Sequence, residues 1–179
     1  DDLDPNKVIL VAGTNGKGST AATLSHLLCA AGKSVGLYTS PHLIETTERI
    51  RVNEEDIGEE QFCRYYDEVH SNDPEFCLTH FEYLTLIAWL SFCRVKVDYA
   101  IFEVGLGGLW DATNAIPHAH CVFTPIGFDH MHLLGNSLSE IAKNKLGILN
   151  EAVQTVVGSR WPEEVQEEIQ IAQRQYPFH

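Results

Sequence analysis

Short apolar runs alternate with stretches of helical periodicity along most of the chain. The runs typical of strands lie at residues 8–12, 34–39, 99–102, 121–124 and 154–157. The stretches typical of helices lie at residues 20–31, 59–70, 79–93, 137–146 and 162–174. Because strands that alternate with helices are joined by right-handed crossovers, this order predicts an α/β fold with a mainly parallel sheet flanked by helices.

Helix ends and one further strand complete this pattern. Residues 79–82 (THFE) and 137–140 (SLSE) have the spacing of a capping box, in which a hydroxyl and a carboxylate accept from the N–H groups that a helix start leaves unpaired. Lys145 lies in the last turn before Gly147, where a cation suits the negative end of the helix. Residues 49–52 alternate polar and apolar positions like a short exposed strand, and residues 53–56 form the predicted turn after it.

The first strand leads into a turn that is rich in glycine and hydroxyl residues. The turn comprises Gly13, Thr14, Asn15, Gly16, Lys17, Gly18, Ser19 and Thr20. Glycines let the backbone point its N–H groups inward, and the helix that follows adds partial positive charge, so the turn is typical of a phosphate-binding loop. It is a variant, because the pattern G-x-x-x-x-G-K-[ST] requires glycine at Val11 and a hydroxyl residue at Gly18. The alternative is an ordinary glycine-rich turn with a solvated lysine.

Further candidate residues follow the ends of other strands, where open α/β sheets bind their ligands. Glu103 ends a buried strand and is placed to hold the Mg²⁺ of a bound nucleotide, although a capping or solvated glutamate would occupy the same position. Arg49 and Arg51 are equally consistent with an anionic substrate and with surface charges. His130 and His132 have the spacing of a zinc-binding pair, but no third ligand lies at a recognisable distance in the sequence.

The composition limits the kinds of molecule that this protein is expected to bind and the compartment in which it is expected to lie. The 179 residues include 12 basic and 25 acidic side chains, and the net charge of −13 repels polyanions, which excludes nucleic acid as a partner. The five cysteines are scattered and odd in number, so they indicate neither a disulfide framework nor a zinc knuckle, and we expect reduced, mostly buried thiols. No apolar run reaches the length of a membrane span and no signal peptide is recognisable, so we expect a cytoplasmic protein with no membrane partner.

Several motifs in order along the chain carry a resemblance to a known family. They are residues 13–19 (GTNGKGS), 40–43 (SPHL), 47–50 (TERI), 81–83 (FEY), 103–108 (EVGLGG), 111–114 (DATN), 129–130 (DH) and 145–148 (KLGI). Together they resemble the dihydrofolate synthase/folylpolyglutamate synthase family, within the wider Mur ligase group, over about residues 7–158. The resemblance implies a P-loop NTPase-like fold of the Mur ligase central-domain type. It further implies an ATP-dependent ligase that adds L-glutamate to dihydropteroate, to folates or to both through an acyl phosphate.

The resemblance also implies roles for particular residues. The implied ATP-binding residues are 13–20, and the implied catalytic residues are Lys17, His130 and Lys145. The implied ligands of one or two Mg²⁺ ions are Ser19, Ser40, Glu103, His130 and Lys145, with a carbamate on Lys145. The implied substrate-binding residues are Ser40, Pro41, His42, Arg49, Thr79, His80, Phe81, Glu82, Trp110, Asp111 and Ala112. The implied partners are small molecules, namely ATP, L-glutamate and dihydropteroate or folate, and the implied full-length protein is a monomer.

Some positions depart from the family pattern. Leu109 stands where arginine is common, Pro125 where serine is usual and Leu146 where alanine is usual. The missing arginine removes a cation from the rim of the site, which affects the substrate pocket more than the ATP site. We also expect residues 1–179 to form a truncated, incomplete P-loop ATP-binding domain, without the family's leader helix, the end of the domain and the C-terminal ligase domain.

Two other functions share part of these motifs. A Mur-type cell-wall peptide ligase shares the phosphate-binding loop, the strand-end glutamate and the carbamylated lysine, but the motifs at residues 40–43 and 47–50 argue against it. A nucleotide-binding module without ligation shares the loop alone. That function leaves the metal ligands and Lys145 unexplained.

Overall fold

The computed structural model describes residues 3–158 and 160–179. Its strands are β1 (Val8–Ala12), β2 (Val35–Tyr38), β3 (Ile50–Val52), β4 (Glu55–Asp56), β5 (Tyr99–Glu103), β6 (His120–Phe123) and β7 (Thr155–Gly158). Its helices are α1 (Lys17–Ala30), α2 (Glu59–Asn72), α3 (His80–Val95), α4 (Met131–Leu134), α5 (Leu138–Leu146) and α6 (Glu163–Gln175). Short 3₁₀ helices lie at Pro5–Lys7, Thr46–Arg49 and Ala112–Ala115. Among the described residues, no helix combines the length and the apolar character needed to cross a membrane.

The described strands form one sheet in the order β4-β3-β2-β5-β1-β6-β7. β2, β5, β1, β6 and β7 are parallel to one another, whereas β3 and β4 extend one edge in antiparallel pairing. β1 is central, because Leu10 pairs with Phe102 of β5 on one side and with Cys121 of β6 on the other. The predicted α/β fold with a mainly parallel sheet is therefore confirmed, and the loop after β1 lies in the middle of the carboxyl edge.

Helices cover both faces of the sheet around β1. Ile9 and Val11 pack with residues of α1 in a smaller core. Leu10 points to the other face, where α2, α3, α5 and α6 contribute to a larger core. Every residue of β1 is buried, as expected for a parallel strand between two helical layers.

Both predicted capping boxes are present. The hydroxyl of Thr79 accepts from the N–H of Glu82 at 3.3 Å, and the hydroxyl of Ser137 accepts from the N–H of Glu140 at 3.2 Å. Each glutamate carboxylate accepts in return from the N–H of its hydroxyl residue. Residues near each other in sequence therefore determine where α3 and α5 begin.

The structure corrects three details of the sequence analysis. α1 begins at Lys17 rather than at Thr20, because Gly16 in the left-handed region already ends the turn. The predicted turn at residues 53–56 is shorter, since Glu55–Asp56 pair with β3 and leave only the two residues before them in the turn. The prediction of mostly buried thiols is wrong: Cys63 and Cys77 are exposed, and Cys121 is the buried cysteine. Cys63 lies on the solvent side of α2, away from that helix's buried stripe.

Candidate active site

The turn after β1 has the backbone geometry of a phosphate-binding loop. Gly13 and Gly16 have φ angles of 141° and 80°, in the region that favours glycine. A Cβ atom at Gly13 would also overlap the side chain of Thr124. α1 begins at Lys17 directly after Gly16, and the first N–H groups of a helix have no partner within it. The N-terminus of α1 therefore offers N–H donors and partial positive charge to an anion.

Thr14 joins this loop to the segment after β6. Its N–H donates to the carbonyl of Pro125 at 3.0 Å, and its hydroxyl donates to the carbonyl of Gly127 at 3.1 Å. The N–H of Gly127 donates to the same hydroxyl at 3.0 Å. Thr14, a predicted ATP-binding residue, thus uses its own donors to hold two loops together.

Glu103 joins the phosphate-binding loop to the segment after β2. It is 5% exposed, and its Oε2 accepts from the N–H of Ser40 at 2.9 Å. Gly18 lies so close that a Cβ atom there would be 3.2 Å from Oε2. Burial raises the pKa of Glu103, while the bond from Ser40, the charge of Lys17 and the N–H of Gly18 act against that rise. The structure thus brings two predicted metal ligands, Ser40 and Glu103, together beside the loop.

Lys145 reaches the phosphate-binding loop from α5. It is 1% exposed, and its Nζ donates to the carbonyl of Gly13 at 2.8 Å. Burial lowers the pKa of Lys145 to about 8, the charge of Lys17 lowers it as well, and Asp129 acts in the opposite direction. A role as a helix-end cation, the alternative from the sequence, leaves this burial unexplained, since the helix dipole acts equally on an exposed lysine.

His130 is more exposed than these groups. It precedes α4 with a φ of 41°, its side chain is 50% exposed, and its Nε2 lies 3.4 Å from a carboxylate oxygen of Asp129. In residues 3–158 and 160–179, no group of three or more histidine, cysteine, aspartate or glutamate side chains is arranged to hold a metal ion.

Two neighbouring cavities, together called the cleft, lie at the loops after β2 and β5. Their volumes are about 360 and 400 Å³, and they share Phe81, Leu106 and Asp111. The first is also lined by Thr79, Glu82, Trp110, Ala112, Leu133, Leu134 and Asn144. The second is also lined by Ser40, Pro41, Arg49 and Gly105. The structure therefore gathers most of the predicted substrate-binding residues in one place.

Two predicted substrate-binding residues, His42 and His80, line neither cavity of the cleft. The Nδ1 of His42 accepts from the Nε of Arg49 at 2.8 Å, so this histidine orients an arginine that does line the cleft. His80 is exposed at the first position of α3.

The two carboxylates of the cleft also bond to the backbone. Asp111 accepts from the N–H of Leu106 at 2.9 Å and from the N–H of Thr113 at 3.0 Å. Glu82 accepts from both the hydroxyl and the N–H of Thr79, and these bonds lower the pKa of Glu82. Both carboxylates are therefore held in fixed orientations before any ligand binds.

Tyr38 and Glu48 support the cleft. The sequence analysis missed Tyr38, whereas Glu48 belongs to the motif at residues 47–50. The Tyr38 ring is fully buried with its centroid 5.8 Å from that of Phe81, and burial raises the pKa of Tyr38 to about 12. Its position directly before the turn at the carboxyl end of β2 was the available signal. Glu48 fixes that turn by accepting from three backbone N–H groups, those of Leu43, Ile44 and Glu45.

Comparison with known proteins identifies the class. The family model described as the Mur ligase middle domain matches residues 11–170. The chain therefore belongs to the Mur ligase family, and the match covers the strands and loops that build the candidate site. The resemblance inferred from the motifs is confirmed.

Within that family, the chain is similar to dihydrofolate synthases and folylpolyglutamate synthases. It is 43% identical over 151 residues to the dihydrofolate synthase/folylpolyglutamate synthase of Escherichia coli, covering 84% of this chain and 36% of that protein. It is 42% identical over 179 residues to a probable folylpolyglutamate synthase of Schizosaccharomyces pombe, covering 90% and 35%. The chain thus spans little more than a third of the length of these curated relatives.

Solved structures agree with this grouping. A structure described as an FPGS–AMPPCP complex superposes with a TM-score of 0.89 at 33% identity, covering 97% of this chain and 45% of that one. The structure of E. coli FolC in complex with DHPP and ADP superposes with a TM-score of 0.86 at 40% identity, covering 94% and 41%. Both superpositions include almost all of the sheet and its loops.

Proposed function

We propose that this chain is the ATP-binding part of a ligase that joins L-glutamate to dihydropteroate, to folates or to both. The observation that carries the proposal is the position of Glu103, which lies against Gly18 of the phosphate-binding loop and accepts from the N–H of Ser40 in the cleft. A single carboxylate thereby connects the two places where ATP and the acceptor would bind. The names of the relatives support this choice, as do the neighbouring structures, which are complexes with AMPPCP and with DHPP and ADP.

The reaction would begin with phosphoryl transfer. A carboxylate oxygen of the pterin substrate attacks the γ-phosphorus of ATP, the bond to the β,γ-bridging oxygen breaks, and ADP leaves. Such a transfer needs alignment and charge neutralisation more than covalent help from the protein. Lys17 and the N-terminus of α1 would supply positive charge at the outer phosphates.

The second step would form the amide. The amine of L-glutamate attacks the carbonyl carbon of the acyl phosphate, the carbon–oxygen bond to phosphate breaks, and the amine loses a proton. The products are the glutamyl amide, inorganic phosphate and ADP. The cleft would hold the acyl group in place through Phe81 and Asp111, which line both of its cavities.

The oxygen donors at this edge of the sheet fit Mg²⁺. Mg²⁺ prefers oxygen ligands and is usually held by one or two carboxylates together with substrate phosphates and water. We infer that Glu103, Ser40 and Ser19 hold one ion, which would neutralise charge on the phosphates. The remaining ligands would come from ATP and water.

Lys145 and His130 would support a second ion. The pKa of Lys145, about 8, leaves on the order of a tenth of this amine neutral at neutral pH. The neutral amine can add to carbon dioxide, which forms an N–C bond, releases a proton and converts a cation into a carboxylate. We infer that Lys145 carries this carbamate. His130 is a less typical ligand for Mg²⁺, because imidazole nitrogen suits softer metals.

The same proposal includes the oligomeric state, the location and the partners of the protein. We infer a monomer in the cytoplasm whose partners are ATP, L-glutamate and a pterin or folate, with neither nucleic acid nor a membrane among them. The net charge of −13 supports the exclusion of nucleic acid.

The test is an assay of the full-length protein with ATP, glutamate and each acceptor in turn. Dihydropteroate and tetrahydrofolate should each be tried, with ADP release and product mass as readouts. Lys17→Ala should lower ligation by about 10²–10³-fold or more, because a positive charge at the reacting phosphates is lost. Lys33→Ala, which removes an exposed lysine, is the control and should leave the rate unchanged.

Other outcomes would identify the alternatives. A product formed only with a nucleotide-sugar peptide would indicate a cell-wall ligase. Nucleotide binding with no amide product from any acceptor would indicate a module that does not ligate. Either result would contradict the proposal.

A further inference from the structure

Asn114 connects two segments that are far apart in the sequence. Its Nδ2 donates to the carbonyl of Leu109 at 3.1 Å and to the carbonyl of Gly147 at 3.1 Å. Both N–H bonds of the side-chain amide are thus used, since this group carries two donors. Asn114 belongs to the DATN motif at residues 111–114, and the proposed reaction gives it no role.

The first of these segments is the glycine-rich loop after Glu103, which ends at Leu109. This loop is attached to the last turn of α5 by a backbone bond as well, because the N–H of Leu109 donates to the carbonyl of Asn144 at 2.9 Å. Gly108 lies against the carbonyl of Lys145, so closely that no side chain fits between them. The loop and the end of α5 therefore form one unit.

The second segment is the end of α5, where carbonyl groups have no partner within the helix. The carbonyl of Gly147 accepts from Asn114. The next carbonyl, that of Ile148, lies 2.8 Å from the Nε2 of the buried His118. Two side chains from residues 114–118 thus face two consecutive carbonyls just beyond the helix.

We propose that Asn114 is a positioning residue, which holds the last turn of α5 against the glycine-rich loop so that Lys145 reaches Gly13. Lysine has a long and flexible side chain, so burial of its Nζ at a single carbonyl requires a fixed backbone. Asn114 provides that constraint through its bond to the carbonyl of Gly147, which lies two residues after Lys145. The consequence for catalysis rests on the proposed function, because it assumes that Lys145 serves the ATP site.

Asn114→Asp is the sharpest test, because aspartate has the same shape but neither N–H donor. Asn53→Asp is the matched control: it makes the same charge change, and the Oδ1 of Asn53 acts as an acceptor from the N–H of Val35, which aspartate can also do. Asn114→Ser keeps one donor and adds no charge, so it serves as a milder variant should Asn114→Asp fold poorly.

The first readout is the Lys145 ε-methylene signal in an NMR spectrum of the ligand-free, lysine-labelled chain at one pH, assigned with Lys145→Met. In Asn114→Asp it should move toward the signals of exposed lysines, and in Asn114→Ser it should move less. In Asn53→Asp it should stay in place. The second readout is steady-state ligation by the full-length protein. Here kcat should fall on the order of tenfold to a hundredfold, with little change in the KM for ATP.

The outcomes separate the two proposals. An unmoved Lys145 signal in folded Asn114→Asp and Asn114→Ser would overturn the positioning role. A moved signal in Asn114→Asp, together with a wild-type full-length protein that makes no glutamyl product, would retain the positioning role and contradict the proposed function. A rise in the KM for ATP with unchanged kcat would also count against the positioning role of Asn114, since it would place the effect in nucleotide binding.

Discussion

The phosphate-binding loop and the cleft lie at the same edge of the sheet, yet the protein builds them differently. Two charged groups beside the loop are buried and bonded: Glu103 is 5% exposed and Lys145 is 1% exposed. Around the cleft, apolar side chains are left in solvent: Trp110 is 87% exposed and Leu133 is 61% exposed. The loop is thus organised in advance by contacts within the protein, whereas the cleft keeps surface free for a ligand.

This difference has energetic consequences. Removing one partner from a buried polar contact leaves the other partner unsatisfied, which typically costs 1–3 kcal/mol. Changes at exposed positions are usually within about 0.5 kcal/mol. Substitutions around the loop should therefore affect stability and activity together, unless they remove a buried charge. Substitutions in the cleft should affect mainly the binding of the acceptor substrate.

Replacing Lys145 should have the largest effect on activity. Lys145→Ala should abolish ligation in the full-length protein, and added formate or acetate should restore part of it by filling the place of the carbamate. Lys145→Arg should stay inactive, because it keeps the charge but cannot form a carbamate. If Lys145→Arg ligates as fast as the wild type, the residue is only a helix-end cation.

The same lysine should make stability depend on pH. Its folded pKa of about 8 lies below the ordinary 10.5, so the unfolded chain binds more protons between these values. The contribution of Lys145 to the free energy of unfolding should therefore rise as pH increases from about 8 to about 10. Burial raises the pKa of Cys121 and of Tyr38, which acts the other way in both proteins. The measurement is therefore the difference in urea stability between the wild type and Lys145→Met, which should increase across this range in favour of the wild type.

Gly13→Ala should cause the largest loss of stability at the loop. Alanine would be strained at a φ of 141° and would overlap Thr124, so we expect a loss of roughly 1–3 kcal/mol. Gly58→Ala is the control, since no atom lies within 4 Å of its added Cβ and its φ is −64°. Urea denaturation compares the stability of the two variants. Equal stability of Gly13→Ala and Gly58→Ala would contradict this prediction.

Glu103→Gln should separate activity from stability. Burial raises the pKa of Glu103, so its charge disfavours the folded state above that pKa, and glutamine removes this charge while keeping an acceptor for Ser40. The variant should melt at or above the wild-type temperature at neutral pH, and any gain should shrink as the pH falls and Glu103 becomes protonated. Its dependence on Mg²⁺ should weaken. An unchanged Mg²⁺ dependence would show that Glu103 is not a ligand.

The smallest effect is expected at the cleft. Thr79→Ala and Ser137→Ala each remove the hydroxyl of a capping box, so each should lose about 1 kcal/mol of stability. Only Thr79 lines the cleft, so only Thr79→Ala should raise the KM for the pterin substrate. Equal KM values for the two variants would show that Thr79 acts only as a helix cap.

Local patterns predicted much of the fold. The capping boxes at Thr79 and Ser137 depend on residues three positions apart, so their geometry is contained in the sequence. The alternation of strands and helices predicted the parallel sheet, and hence the edge where Glu103 and the phosphate-binding loop lie. The motifs then identified the family.

Other features of the site could not be predicted in this way. The predicted substrate residue His42 turns out to orient Arg49, and Tyr38 supports the cleft without belonging to any motif. Both depend on how separate loops pack together. No periodicity or spacing in the sequence reports such contacts.

The sequence by itself therefore determined the mainly parallel sheet, the starts of α3 and α5 and the chemical groups at the carboxyl edge, because these follow from backbone preferences and residues close in the chain. Only the tertiary structure decided that Lys145 is buried against Gly13, 132 positions away in the chain. A lysine near a helix end is ordinarily exposed. Here the end of α5 lies against two loops, and packing from several segments removes this amine from water and lowers its pKa.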